Sequence, residues 1–156
     1  MEKYFQYQRI IQTFVESTAK SAVSAQTLYL QGDLMNIEFT AKTIHASKED
    51  DFYIVGFSDD EYDYSNYLIL QKAFEFDEQD VEHGMDGEYF ELNGQEYSGY
   101  KLCRAAFISK DEFLLHINQN DFGIDTVKIS LSQVVIDTEF LQHLKKVLNN
   151  KITIID

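Results

Sequence analysis

Fifteen carboxylates lie between residues 49 and 91, and Lys72 is the one Lys or Arg among them. They are Glu49, Asp50, Asp51, Asp59, Asp60, Glu61, Asp63, Glu75, Asp77, Glu78, Asp80, Glu82, Asp86, Glu88 and Glu91. Fifteen acids against one lysine give this segment a charge of −14, which equals the net charge of the whole chain. Dense carboxylates can do three things. They can pair for general acid–base work, ligate a hard cation, or dock a basic surface on another protein. A solvated face that only confers solubility is the bland alternative.

The cation reading is tested by the run from Asp77 to Glu88. A calcium loop of the EF-hand type needs acids at positions one, three and five, glycine at six and glutamate at twelve. Asp77 and Glu88 fit the ends, but Gln79, Val81 and Glu82 stand at positions three, five and six. The motif fails, so no metal ligands are assigned; a looser Ca²⁺ or Mg²⁺ site needs only clustered oxygens. Acid–base pairs could be drawn anywhere in so acidic a chain, so no catalytic residue is assigned. His45, His83, His116 and His143 form no H-E-x-x-H or Cys/His zinc pattern. His116 alternates with Leu115 and Ile117, as a structural histidine would. Cys103, the one cysteine, reads as a small buried hydrophobe, although Arg104 beside it could lower a thiol pKa. The seven glycines build no phosphate loop, and no G-x-S-x-G elbow occurs. No cofactor is expected.

Charge narrows the partners. Nucleic-acid affinity comes from Lys and Arg releasing phosphate counterions, so this segment has the wrong sign for direct binding. An anionic membrane repels it equally. The remaining macromolecular partner is a basic protein surface. The partner-binding candidates are Asp59, Asp60, Glu61, Asp63, Asp77, Glu78 and Asp80, with Tyr62, Tyr64 and Phe76 interleaved as aromatic anchors.

These side chains need a scaffold. At 156 residues and 44% apolar, the chain suits a single domain over 1–156. Tyr4, Tyr7, Ile11, Phe14, Val15, Thr18 and Ala22 recur at helical steps, predicting an amphipathic helix over about the first 23 residues. Residues 1–33 form a helical extension, punctuated by Gly32-Asp33, and residues 34–156 a sheet-rich core. Met35, Ile37, Phe39 and Ala41 alternate as a strand. Residues 52–57, 67–70 and 88–92 are strand-like runs, the second suited to burial on both faces. Residues 59–65 and 75–87 are acidic connections, and Asn93-Gly94 signals a hairpin. A strand beginning at Tyr100 runs on through Ile108. After a turn at Lys110-Asp111, Phe113, Leu115 and Ile117 alternate, as do Val127, Ile129 and Leu131. Phe140, Leu141, Leu144, Val147 and Leu148 mark a helix capped by Asp137 or Thr138 and stopped by Asn149-Asn150. Ile152 and Ile154 close the chain as a short strand. The expected class is α+β: a mainly antiparallel sheet of six or seven strands with an N-terminal and a C-terminal helix. The start lacks a secretory signature, no apolar run is long enough to span a membrane, and a lone cysteine cannot form an internal disulfide, so a reduced cytoplasmic location is expected.

Several segments carry a family likeness. They are Phe52-Tyr53-Ile54-Val55-Gly56-Phe57-Ser58-Asp59, then Asn66-Tyr67-Leu68-Ile69-Leu70-Gln71-Lys72, the acidic run Asp77-Glu78-Gln79-Asp80, and Gly87-Glu88-Tyr89-Phe90-Glu91-Leu92-Asn93. Together they resemble the bacterial immunity protein 10 family of polymorphic toxin systems, over roughly residues 35–149. The resemblance implies a non-enzymatic cytoplasmic protein that binds and neutralises a cognate toxin domain. It supplies no toxin-contact residues. A small metal-dependent enzyme using the acidic loops, and an acidic structural or assembly module, are the other readings.

Overall fold

The computed structural model describes residues 27–31, 34–63 and 65–155. The helix expected over the first 23 residues lies outside these. The helical extension does not reach residue 33, because Thr27–Gln31 is a strand, β1, paired antiparallel with β2 (Leu34–Thr40). The remaining strands are β3 (Thr43–Lys48), β4 (Phe52–Ser58), β5 (Tyr67–Ala73), β6 (Tyr89–Leu92), β7 (Ser98–Tyr100), β8 (Cys103–Ile108), β9 (Glu112–Ile117), β10 (Ile124–Ser130) and β11 (Ile152–Ile154). The helices among the described residues longer than one turn are α1 (Glu78–Glu82) and α2 (Thr138–Leu148).

The expected single sheet of six or seven strands is corrected to two. One has six strands in the order β1-β2-β10-β9-β8-β11, and the other five in the order β3-β4-β5-β6-β7. The five-stranded sheet is an antiparallel meander. The six-stranded sheet mixes antiparallel pairs with two parallel ones, β2 with β10 and β8 with β11. The chain changes sheet twice at sharp points. Ala41 and Lys42 carry it from β2 to β3, their N–H groups donating to Ser130 and Ser58 in the two sheets. Lys101, at φ +59°, ends β7 and sends the chain back into β8. A left-handed residue cannot continue a strand, so the strand expected from Tyr100 through Ile108 is two strands in two sheets.

One core joins the layers. Val55, Phe57, Leu68, Leu70, Phe90 and Leu92 face inward from the five-stranded sheet. Phe39, Phe113, Leu115, Val127 and Ile129 meet them from the other, and Phe140, Leu144, Val147 and Leu148 of α2 complete the cluster. The α2 N-cap is Asp137, whose carboxylate accepts the Phe140 N–H at 2.8 Å; Asn149 at φ +52° stops the helix. Cys103 is fully buried. Burial, with smaller help from nearby Glu88, pushes its thiol pKa far above the reactive range. His116 is half-buried with its ring edge-on to Phe107, 6.0 Å between centroids.

His45 on β3 is also partly buried, its Nε2 3.3 Å from the Ser47 hydroxyl. Desolvation lowers its pKa; Glu49 pulls it up and His143 on α2 pushes it down further. The folded state therefore binds this proton less readily than the unfolded chain, whose histidine titrates near about 6.5. The contribution of neutral His45 is complete above that pH and is lost as pH falls toward and through the depressed folded value. His45→Gln should flatten the acid-side decline. Urea melts at about pH 7.5 and about pH 5 check it: an unchanged difference between the two proteins would mean His45 is not titrating across this window.

Candidate functional site

The register of β4 on β5 decides where the acids go. Ser58 pairs with Tyr67 at one end and Phe52 with Ala73 at the other. Seven residues of strand separate the ends by about 20 Å. The loop carrying Asp59, Asp60, Glu61, Tyr62 and Asp63 sits at the first end. The connection carrying Asp77, Glu78 and Asp80 sits at the second. The two candidate groups therefore do not form one patch. Tyr64 lies outside the described residues.

In the first loop the carboxylates build the turn. Asp59 accepts from the Ser65 N–H at 2.8 Å and the Asn66 amide at 2.9 Å. Asp60 Oδ1 accepts from the N–H groups of Tyr62 and Asp63, each at 2.9 Å. Those two backbone bonds, Asp63 first, hold the Asp60 pKa below the ordinary carboxylate value. Glu61, Tyr62 and Asp63 point outward, with Tyr62 62% exposed. Glu61 hydrogen-bonds the Tyr62 phenol and raises its pKa.

The second end is the more acidic. The β3–β4 turn brings Glu49, Asp50 and Asp51 there, and the Phe74 N–H donates to the Asp51 carbonyl at 2.9 Å, tying that turn to the chain leaving β5. Glu75, Asp77, Glu78, Asp80, Glu82, Asp86 and Glu88 follow in the β5–β6 connection. Not all of these offer charge to a partner. The connection is not a plain loop, because α1 forms within it: Asp77 accepts the Asp80 N–H at 2.8 Å, and Asp80 accepts the Asp77 N–H at 2.9 Å. This reciprocal cap explains why Asp80, expected on the partner surface, is 4% exposed. Asp86 pairs with Lys101, and buried Glu88 pairs with Lys151 at 2.7 Å. Asp50, Glu75, Asp77, Glu78 and Glu82 remain outward.

Two apolar side chains stand among them, Phe74 at 41% exposure and Val81 at 57%. Phe74 packs its ring on Tyr53, 4.7 Å between centroids, and Lys48 Nζ lies 5.7 Å above it. Phe76, the aromatic anchor expected in this segment, is half-buried against the sheet. Parity held the signal for Phe74. It follows Leu68, Leu70 and Lys72 on one face of β5, and a lysine at the third position shows that the core has already ended there.

Among the described residues, no group of three or more His, Cys, Asp and Glu side chains comes together to hold a metal ion. A shallow cleft of about 240 Å³ lined by Ile108, Lys110, Ile136, Leu141, Ile154 and Ile155 brings no carboxylate side chain together with another. No described helix is long and apolar enough to cross a membrane.

A family model described as Immunity protein 10 matches residues 40–142. No curated protein and no solved structure matches the chain.

Proposed function

The chain belongs to the immunity protein 10 family, and from that premise we propose that it binds and neutralises a cognate bacterial toxin domain in the cytoplasm, without catalysis of its own. The docking surface is the second acidic end of the five-stranded sheet. The observation that carries this choice is Phe74 and Val81 exposed among Asp50, Glu75, Asp77, Glu78 and Glu82. A protein interface takes its energy from a few apolar or aromatic anchors and its encounter rate from surrounding charge. Asp80 serves this surface from beneath, by holding α1 in shape. The toxin face that fits is basic, as the substrate-binding face of a nucleic-acid-degrading domain would be. The loop of Asp59, Asp60, Glu61, Tyr62 and Asp63 is a second, smaller acidic surface about 20 Å away along the strands; a toxin domain large enough to reach it would gain steering from it.

Purification from the native cell should bring down a basic toxin domain at equal stoichiometry. With that domain in hand, Glu75→Lys, Asp77→Lys and Glu78→Lys combined should slow association about tenfold and flatten its salt dependence. The matching reversal of Asp60, Glu61 and Asp63 should have a smaller effect. A partner that does not co-purify removes the inhibitor reading. Association rates indifferent to both reversals remove the acidic surfaces from the interface.

A further inference from the structure

β11 ends the six-stranded sheet, and among the described residues no strand lies beyond it. The Ile155 N–H donates to the Ile108 carbonyl of β8 at 2.8 Å. Backbone direction alternates along a strand, so Thr153 also turns its N–H and C=O toward β8. Ile152 and Ile154 turn theirs the other way, onto the open edge. Such an edge is a template for another strand, and sequences blunt it with a charge, a proline or a bulge. β11 reads Ile-Thr-Ile and has none of these. β1, at the opposite edge of the same sheet, carries a register break.

The side chains agree. Register sets Ile152 beside Ala106 and Ile154 beside Ile108, both of which belong to the buried core. Yet Ile154 is 37% exposed and Ile155 50%. Between them and α2 lies the cleft of about 240 Å³, with Ile108, Ile136 and Leu141 in its lining. Val135, next to it in sequence, is 85% exposed. The core therefore reaches this corner of the sandwich and stops uncovered.

We propose that a second copy of this chain covers the corner, β11 pairing antiparallel with its own counterpart about a two-fold axis at Thr153. Two observations select this occupant. The first is register. Ile152 and Ile154 are equidistant from Thr153, so the two-fold sets Ile152 opposite the partner's Ile154. Both have outward N–H and C=O groups, and each such pair exchanges two N–H···O bonds. The same operation lines up the isoleucines of both copies in one row on the core side, over the two clefts.

The second is charge. Residues 135–155 hold Lys145, Lys146 and Lys151 against Asp137 and Glu139, a net +1 in a chain of −14. Two copies of so acidic a protein repel wherever their 49–91 segments would meet. α2 and β11 lie outside that segment, so contact there joins near-neutral surfaces. A basic toxin face, by contrast, meets Lys110 in the cleft lining and Lys145 one helical turn after Leu141.

Sedimentation equilibrium of the full chain over a dilution series should show a reversible species of twice the chain mass. Ile154→Lys sets a charge on the open edge and should raise the dissociation constant at least about tenfold. Ile154→Pro removes the outward N–H, spares the backbone bonds of Thr153 and Ile155 to β8, and should weaken the dimer as well. The urea midpoint of each variant reads whether the monomer keeps its fold. Register has its own readout. Thr153→Cys faces its counterpart in a non-hydrogen-bonded pair, with Cα atoms about 4.5 Å apart, within reach of a disulfide. Mild oxidation should link it into a covalent dimer, while Ser132→Cys, on the exposed turn after β10, should not link. Cys103 is buried and takes no part. A chain that is monomeric at every concentration overturns the proposal, as does a dimer indifferent to both Ile154 variants, or equal linking at the two cysteine positions. So does a β11 edge that stays free until a different protein supplies the strand.

Discussion

Phe57→Ala is expected to cost about 3–5 kcal/mol of folding stability and to melt both sheets and α2 in one transition. Phe57 is fully buried. Its ring stacks on Phe113 of the six-stranded sheet, 4.9 Å between centroids and 21° between planes, and meets Phe140 of α2 edge-on at 5.4 Å and 74°. Three elements that are remote in sequence therefore share one contact point. Truncation leaves a void that neither sheet can close, because each is fixed by its own ladder. Urea unfolding followed by far-ultraviolet dichroism gives the size of the loss, and hydrogen exchange gives its reach. A cost below about 1 kcal/mol would mean that the interface repacks freely and that the shared core is not what couples the layers.

That contact also shows where sequence reasoning stops. Alternation of Phe113, Leu115 and Ile117, the continuous run at Tyr67, and the helical spacing from Phe140 to Leu148 are local patterns, and each element is where they put it. Alternation says which face of a strand is buried but not against which sheet. The pairing of β2 with β10 joins Asn36 to Thr126 through a 2.6 Å hydrogen bond across 90 positions, and no short-range pattern encodes it. β3 escaped notice for a different reason. It is an edge strand, half-buried through most of its length, and its alternation rests on two apolar residues alone, Ile44 and Ala46. Lys101 gave no warning either, since lysine is not a residue that advertises a left-handed turn.

The candidate site was legible in composition and not in placement. The acids could be counted, and their sign excluded nucleic acid and anionic membrane. Their division between two ends of the β4–β5 ladder followed from a hairpin register, which turns neighbours in sequence into opposite poles. Several carboxylates proved to be structural. Asp59 and Asp60 close a turn, while Asp77 and Asp80 cap α1. An acidic composition therefore overstates the charge available to a partner, and apolar exposure at Phe74 and Val81 discriminates better than the number of acids nearby.

Glu88 is the sharpest instance of an acid turned inward, and it yields the second large effect. It precedes β6 in the five-stranded sheet, is 3% exposed, and takes its partners from the other layer. Lys151, in the short turn after α2, donates to Oε1 at 2.7 Å, and the Cys103 N–H at the start of β8 donates to Oε2 at 3.2 Å. Lys151→Met would keep the aliphatic packing and remove the charge, leaving a desolvated carboxylate with one weak donor. Breaking a fully buried ion pair costs about 3–5 kcal/mol. The Lys151 side chain is one-third exposed, so solvent screening reduces the expected loss to about 2 kcal/mol. Adding Glu88→Gln to Lys151→Met should recover part of that loss, because a neutral amide tolerates the site better than an orphaned charge. The double-mutant cycle, read by urea midpoint, separates the pair from the packing. Single and double variants of equal stability would show that the loss comes from the lysine stem, and that this ion pair does not hold the two sheets together.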